Sequence, residues 1–299
     1  MGANASMPIH RTRGELAVDV LFYVFLSVAA FTTVYPFIYL LVISLNETQD
    51  ALRGGLYFWP RKFTFENYLY VFENQRLARA SLNSVLRTVI QTVLSVFACG
   101  MLAYVLSRKT FMFRKAFSLT LVVTMYVSGG LIPTYLLIKN LHLLNTFAVY
   151  IVPGLVSAFY IFIMRTFFEQ LPDGLVESAY IDGANDFSIF TRIIMPISLP
   201  VLATVALYVA VSEWNAWFDN YLYNSRNENL AVLQYELQKM IQVVENTTSG
   251  EEGEPTSRVI SPLTIKSTLT ILVTVPILLI YPFLQKYFVK GLTLGAMKD

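Results

Sequence analysis

The sequence predicts an all-α membrane protein that crosses the bilayer several times. Of its 299 residues, 55% are hydrophobic and 14% are charged, which is too apolar for a soluble domain of this length. The apolar residues are gathered into six runs, each long enough to span a bilayer, and polar segments separate them. No internal repeat or low-complexity stretch divides the chain, so we expect a single membrane domain over residues 1–299.

The six predicted spans cover residues 16–45, 84–106, 116–138, 147–168, 199–218 and 267–285. The first is longer than the apolar part of a signal peptide and lacks a convincing small-x-small cleavage site, so we expect it to be retained. Arg87 lies near the start of the second span, where its side chain can snorkel toward the headgroups. Residues 46–80 are mixed in character and predict an external loop with a short re-entrant or interfacial elaboration.

The distribution of cations orients the chain. The short loop after the second span has four basic residues and no acid: Arg108, Lys109, Arg114 and Lys115. Cations in short loops face the cytoplasm, and Arg11, Arg13, Lys286, Lys290 and Lys298 in the tails agree. Both termini and the segment between spans four and five are therefore predicted to be cytoplasmic. Residues 219–266 then form an external segment, whose acidic run at residues 251–254 is typical of a solvated loop.

Several functional classes are disfavoured. The net charge is +2 and the basic residues are scattered, so no nucleic-acid surface is expected. Cys99 lies in an apolar run and has no partner cysteine, which indicates a buried structural thiol. His10 and His142 are far apart and without clustered ligands, so we expect no metal site. The spans carry no His, Cys and Asp constellation for an intramembrane hydrolase.

Two further patterns concern the energy source. No GxxxxGK[ST] motif occurs, so the chain does not supply a nucleotide site through a P-loop. Half of an ion-coupled secondary transporter is the alternative, and it would place charged relays at the membrane midplane. Within the spans only Glu213 meets that description, and it lies off centre.

The polar segment 177–200, ESAYIDGANDFSIFTRIIMPISLP, predicts a helix, a glycine corner and a second helix. Pro172 can open the first helix, and Gly183 offers the left-handed conformation that ends it. Asn185 or Asp186 can cap the second helix.

Faces of this segment can also be predicted. Leu175, Ala179 and Ile181 fall on or near one side of the first helix, while small Ala179 and Ala184 would allow a partner to approach closely. Exposed aromatics suggest an anchor for a helix-in-groove contact. Composition alone leaves a connector and a docking element equally open.

The motif E-x-A-x-x-D-G-A, followed by I-x-x-P and then L-P, resembles the EAA loop of permeases from binding-protein-dependent ABC importers. Nearly the whole chain is similar to the six-span carbohydrate permeases that pair with a second permease in maltose, alginate and other oligosaccharide importers. The supporting stretches are SGGLIPTYLLIKNL, FIMRTFF, WNAWF and the tail GLTLGAMKD. SGGLIPTYLL and KGLTLGA resemble the branch that handles large oligosaccharides.

This resemblance implies that residues 177–196 form coupling helices that insert into a groove of an ATP-binding subunit. The implied coupling residues are Glu177, Ser178, Ala179, Asp182, Gly183, Ala184, Phe187, Phe190 and Pro196. Glu177 and Gly183 occupy the positions that are central to coupling in the family. Two residues depart from its pattern: Ser178 replaces the second alanine, and Asp299 adds a negative charge to a tail that often ends in glycine.

The resemblance further implies a permease subunit of the bacterial cytoplasmic membrane that imports a sugar by alternating access and is not itself an enzyme. Its partners would be a second permease subunit, a dimer of ATP-binding subunits, an extracellular or periplasmic sugar-binding protein and membrane lipids, without nucleic acid. ATP and Mg²⁺ would be bound by the ATP-binding subunits, and no cofactor is expected in this chain. Part of segment 219–266 could probe the open cleft of the sugar-binding protein.

Two groups of residues are candidates for the substrate path. In span three they are Tyr126, Ser128, Gly129, Gly130 and Tyr135, where irregular backbone either lines a cavity or forms a tight packing kink. In span five they are Tyr208, Glu213, Trp214, Asn215 and Trp217. Aromatic rings and amides suit sugars, since rings stack on C–H faces and amides bond hydroxyls. An interfacial aromatic belt is the open alternative.

Overall fold

The computed structural model describes residues 13–248 and 261–296, and these residues form helices joined by turns. The helices are α1 (Arg13–Ser44), α2 (Thr48–Ala51), α3 (Glu66–Glu73), α4 (Gln75–Ser107), α5 (Arg114–Tyr126), α6 (Leu131–Asn140), α7 (Ala158–Phe168), α8 (Gly174–Ile181), α9 (Asp186–Ile197), α10 (Leu199–Asn215), α11 (Phe218–Tyr223), α12 (Leu233–Thr248) and α13 (Pro262–Ala296). The predicted all-α class is confirmed over the described residues.

Three described helices are long and apolar enough to cross a membrane: Leu16–Ser44, Gln75–Ser107 and Pro262–Ile280. Two bent pairs also qualify if each counts as one span, namely α5 with α6, bent by 116°, and α9 with α10, bent by 86°. The structure therefore presents three to five candidate spans by length and composition, where the sequence predicted six.

The fourth predicted span, residues 147–168, is not one helix. A single 3-10 turn at Phe147–Tyr150 is followed by turns, and α7 begins only at Ala158. Pro153 has no N–H to continue a helical ladder. Gly154 allows a close approach by α4, since a Cβ there would lie 2.7 Å from Nε2 of Gln91. Any larger residue in place of Gly154 would require the side chain of Gln91 to move.

The chain divides into two compact units. Unit 1 comprises residues 1–68 and 257–271, and unit 2 comprises residues 69–256 and 272–299. In unit 1 the side chain of Asn67 donates to the carbonyls of Ser44 and Asn46, both at 2.9 Å, and so fixes the chain where it leaves α1. Thr48 Oγ1 lies 3.2 Å from Thr264 Oγ1, which joins α2 to the start of α13.

The core of unit 2 is the packing of α4 against α7 and α10. α4 begins at Gln75 and not at Ser84 as predicted, because Asn74 caps it by accepting from the amides of Arg76 and Leu77. Its buried side recurs every four residues, which places these residues on one ridge: Arg87, Gln91, Ser95, Cys99 and Ala103. Small side chains on this ridge let α7 approach, and Cys99 is fully buried, as predicted.

Some predicted features lie outside the described residues. They are Arg11 and His10 near the start, the acidic run at residues 251–254, and Lys298 and Asp299 at the end. The described part of segment 219–266 is largely helical. It contains α12 and most of α11, and Asn83 on α4 donates to the carbonyls of Asn229 and Ala231.

Candidate functional site: the α8–α9 corner and the broken helices

Gly183 forms the corner between α8 and α9. Its φ is +80°, in the left-handed region that glycine adopts without strain. The amide of Ala184 reaches back to the carbonyl of Ala179 at 2.9 Å, which closes the end of α8. Asn185 caps α9, since its side chain accepts from the amide of Ser188 at 2.8 Å. The predicted helix, glycine corner and capped helix are all confirmed.

The prediction that Leu175, Ala179 and Ile181 fall on or near one side of α8 is partly wrong. Ala179 is buried, but it pairs with Val176, three residues earlier, and both pack into the core of unit 2. Leu175 is 40% exposed, and Ile181 is 87% exposed beside the corner. Residues three apart share a helix face whereas residues two apart do not, so burial of Ala179 turns Ile181 outward. The corner thus presents a large apolar side chain to its surroundings.

The two candidate aromatics of α9 differ in role. Phe187 is 59% exposed, while Phe190 is buried against α4, with its ring centroid 5.7 Å from that of Tyr104. Phe190 also lies within 3.5 Å of the position that a Cβ on Gly100 would take. Phe190 therefore holds the corner onto α4 from inside, and Phe187 remains available to a partner.

Glu177, Ser178 and Asp182 are all exposed on α8 or its end. The hydroxyl of Ser178 donates to the carbonyl of Gly174 in its own helix at 2.8 Å, so it occupies little more space than the alanine it replaces. Ala184 is half-buried and packs against the core of unit 2. Small residues near the corner thus serve contacts within this chain.

Pro196 marks a change in helix geometry. A proline cannot donate to the carbonyl of Arg192, and the preceding residues Phe190–Ile194 form a wider π turn. α9 then ends at Ile197, and α10 leaves at 86°. The corner is therefore joined to α10 through a π turn and a sharp bend at Ser198.

A cleft of about 440 Å³ lies between α9 and the end of α4. Asp186 lies at its polar side, where the hydroxyl of Tyr180 donates to Oδ1 at 2.6 Å and that of Tyr104 donates to the same oxygen at 3.4 Å. This hydrogen bond to Asp186, aided by burial, raises the pKa of Tyr180. Arg108 lies over the ring of Tyr104, 4.8 Å from its centroid. One carboxylate thereby links α8, α9 and α4.

Ion pairs gather the basic loop and the entry to α8 at the same end of unit 2. Lys109 Nζ lies 3.1 Å from Oδ2 of Asp173, and Arg114 pairs with Glu169. Arg165 donates to Glu169 at 2.8 Å. Burial raises the pKa of Glu169, but the hydrogen bonds and charges of Arg165 and Arg114 outweigh it and hold the pKa below its ordinary value. The basic loop and the entry to α8, which the sequence predicts to lie on the same side of the membrane, are therefore in direct contact.

The candidates of predicted span three surround a real break. α5 ends at Tyr126 and α6 begins at Leu131, and Gly130 has a φ of +84°. Tyr126, Ser128, Gly129 and Gly130 are all exposed. Tyr135 is half-buried, and its ring stacks on that of Tyr223, 6.1 Å between centroids. The exposed break leaves backbone polar groups open to a cavity or a partner, and it lies apart from the packed core.

The structure pairs Glu213 with Arg87. Nε of Arg87 donates to Oε2 of Glu213 at 2.8 Å, and Nη1 donates to Oδ1 of Asp219 at 3.1 Å. The guanidinium also lies 4.7 Å from the ring centroid of Tyr150. The predicted snorkelling of Arg87 is wrong, because its side chain is 3% exposed and turned inward. The sequence did contain a signal for this network: one cation, Arg87, lies near the end of one apolar run, and two acids, Glu213 and Asp219, lie near the end of another.

The remaining residues of span five are divided between packing and exposure. Nε1 of Trp214 donates to the carbonyl of Val273 at 2.9 Å, and Trp217 packs beside a buried cluster around Tyr150. Asn215 is exposed, and its amide donates to the carbonyl of Val211. Tyr208 is 41% exposed and meets the ring of Phe159 edge-on. One candidate from each span lies near the same buried cluster: Trp217 packs against it, and so does Tyr223, on which Tyr135 stacks.

Apolar helix pairs that bend sharply at a break, and a polar corner between two apolar segments, are features of membrane transport subunits. The model of the family described as "Binding-protein-dependent transport system inner membrane component" matches residues 9–294. The chain belongs to this family and is therefore a component of the inner, cytoplasmic membrane. Members are transport subunits and not enzymes.

The relatives that this chain resembles are also transport proteins. The chain is 37% identical over 281 residues to the polygalacturonan/rhamnogalacturonan transport system permease protein YtcP of Bacillus subtilis, covering 94% of this chain and 98% of the relative. It is 28% identical to the arabinooligosaccharides transport system permease protein AraQ of Halalkalibacterium halodurans, covering 90% and 92%. A solved bacterial ABC transporter that imports the acidic polysaccharide alginate contains a similar chain, at 27% identity and a TM-score of 0.83, covering 94% and 100%.

Proposed function

We propose that this chain is a permease subunit of an ATP-driven importer that moves an oligosaccharide across the cytoplasmic membrane by alternating access. Family membership supports the transport role. The similar proteins named for polygalacturonan/rhamnogalacturonan, arabinooligosaccharides and alginate support the carbohydrate class. One membrane domain with six spans and both termini in the cytoplasm accommodates the described helices if α7 and the turns before it cross the bilayer together.

The assembly would contain a second permease, two ATP-binding subunits and an extracytoplasmic sugar-binding protein. ATP and Mg²⁺ would be held by the ATP-binding subunits. Energy then enters as the different affinities of these partners for the inward-facing and outward-facing states. The contact with the ATP-binding subunit would use Glu177, Asp182 and the apolar side chains at the corner.

The observation that carries this proposal is the exposed corner on a fixed support. Ile181 is 87% exposed beside Gly183, while Val176, Ala179 and Phe190 anchor the same segment in the core. An exposed apolar side chain on a rigid helix end suits insertion into a groove of a partner. Movement of the groove would be passed to α4 through Phe190 and Asp186, and to α10 through the bend that follows Pro196.

The ion-coupled alternative is weakened by the pairing of Glu213. A proton or cation relay needs a carboxylate that can gain and lose its partner, and here Arg87 and Asp219 complete an ion-pair network around it. This pairing favours a structural role for Glu213 over a relay.

The test is to purify the complex with its native partners and measure ATPase activity in vesicles with the binding protein and a panel of oligosaccharides. One sugar class is expected to stimulate hydrolysis, and Ile181→Ser is expected to weaken that stimulation. Leu52→Ser is a matched control, since Leu52 is 56% exposed in unit 1, away from the corner in sequence. Ion-gradient-driven uptake without ATP would contradict the proposal.

A further inference from the structure

Five aromatic residues of unit 1 are crowded into a loop that the transport function leaves unexplained. Residues 56–65, here named the aromatic loop, contain Tyr57, Phe58, Trp59, Phe63 and Phe65. All five are at least half exposed, and Trp59 is 83% exposed. A patch of exposed rings of this size marks an interaction surface, since isolated domains in water rarely retain one.

The aromatic loop is tied to the Ser44 end of α1. The amide of Glu47 donates to the carbonyl of Lys62 at 2.9 Å, and Lys62 Nζ lies 2.6 Å from the carboxylate of Glu47. Arg61 donates to Asp50 at 2.9 Å and to the carbonyl of Gly54 at 2.8 Å. Both cations of the loop are therefore neutralised by neighbouring acids, which lowers the cost of placing the loop at a membrane surface.

Phe58 shows how far the aromatic loop reaches along α1. Its ring lies 5.5 Å from that of Tyr35 and 6.4 Å from that of Phe31, measured between centroids. The apolar run of α1, Leu16–Ser44, has 29 residues, whereas about 20 helical residues cross a hydrocarbon core of about 30 Å. The charged Asp19 near its start favours placing most of the surplus length at the Ser44 end. The other edge of the core then falls near Tyr39. Tyr35 and Phe31 lie about 6 Å and about 12 Å inside that edge.

The backbone limits the depth. Residues 55–60 form turns without a regular ladder of hydrogen bonds, and such a backbone avoids the hydrocarbon interior. It therefore lies at the level of the headgroups while the rings extend toward the acyl chains, as in an interfacial aromatic belt. The exposed apolar side of α1 continues onto the aromatic loop through Phe31, Tyr35 and Phe58, so one apolar surface runs through both.

From this geometry we infer that the aromatic loop inserts its rings into the leaflet at the Ser44 end of α1. Its partner is the lipid at the boundary between headgroups and acyl chains. The insertion sets the depth of α1, since the loop is bonded to the two residues that directly follow this helix: the amide of Thr64 donates to the carbonyl of Leu45 at 2.9 Å, and the amide of Lys62 donates to Oδ1 of Asn46 at 2.8 Å. This inference concerns unit 1 and is independent of the proposed sugar and of the ATP-binding partner.

Tryptophan fluorescence provides the test. The intact complex is reconstituted into vesicles whose lipids carry bromine on the shallow or on the deep part of the acyl chain. The fluorescence of the Trp59→Phe complex is subtracted from that of the wild-type complex, which removes the signal of every other tryptophan. The Trp59 signal is expected to be quenched several-fold more by shallow than by deep bromine, and little by aqueous acrylamide. Trp214→Phe is the matched control, because its indole donates to Val273 inside unit 2.

Other outcomes overturn the inference. Quenching by acrylamide without quenching by brominated lipid would place the aromatic loop in water, where a soluble protein or a sugar could meet it. Quenching by neither agent would mean that another subunit covers the loop. Stronger quenching by deep bromine would contradict an interfacial backbone.

Discussion

Arg87 and Glu213 form an ion pair between α4 and α10, with Nε and Oε2 2.8 Å apart. Asp219, just beyond α10, holds the other edge of the same guanidinium, and the ring of Tyr150 lies against its face. Three segments that are far apart in sequence thus meet at one buried cation. Because the guanidinium is almost fully enclosed, the pairing stabilises the fold only while both signs of charge are present.

Removing the positive charge of Arg87 should destabilise the fold. Arg87→Met would leave Glu213 and Asp219 without a counter-charge in a poorly solvated site, and we expect a loss of about 3–5 kcal/mol of folding free energy. Thermal unfolding of the purified subunit in detergent measures the effect. The triple variant Arg87→Met, Glu213→Gln, Asp219→Asn should recover much of the loss. A single Arg87→Met variant as stable as the wild type would refute this account of the cluster.

Gly183→Val should uncouple transport while insertion into the membrane persists. A β-branched residue at φ +80° adds about 1–2 kcal/mol of local strain and distorts the corner between α8 and α9. Sugar uptake and ATPase activity, measured together in vesicles, report the loss of coupling. Gly174→Val is the matched control, since nothing lies within 4 Å of a Cβ there and its φ is not positive. Normal transport by Gly183→Val would remove the corner from the docking role.

Two substitutions of Trp214 distinguish the contribution of its ring from that of its hydrogen bond. Trp214→Ala is expected to lower uptake about three- to tenfold while the ATP-binding subunits remain bound, because an aromatic contact of about 0.5–1.5 kcal/mol is lost. Trp214→Phe keeps a ring and loses only the bond to the carbonyl of Val273. Unchanged uptake by the alanine variant would return Trp214 to an aromatic belt.

Asp50 should give unit 1 an acid-sensitive component of stability. Hydrogen bonds from Asn46 and Arg61 hold the pKa of Asp50 below its ordinary value of 3.8. The folded pKa is lower than the unfolded one, so the stabilisation is complete above the unfolded pKa and is lost as the pH falls through the folded value. The free energy of unfolding of the detergent-solubilised wild type and of Asp50→Asn is measured between about pH 2 and about pH 6. The two plots of this free energy against pH should converge at the acid end. Parallel curves would contradict the assignment.

The local structure of the α8–α9 corner could be predicted because its determinants are local. Gly183 supplies a left-handed φ, and Asn185 supplies a side-chain oxygen for a helix start, whatever lies around them. Which side of α8 is buried could not be predicted in the same way. Ala179 is buried because α4 and α7 offer a close-packed surface to it, and that contact turns Ile181 outward.

Composition and the positions of the apolar runs determined that this is a helical membrane protein, and the motif around Gly183 determined its family resemblance. Only the tertiary structure decided that Arg87 turns inward, that Phe190 supports the corner from within, and that Phe58 reaches back along α1. The physical reason is the range of the interactions. Hydrophobicity and backbone preference act within a few residues, whereas the fate of a buried charge or an aromatic ring depends on which distant segment supplies its partner.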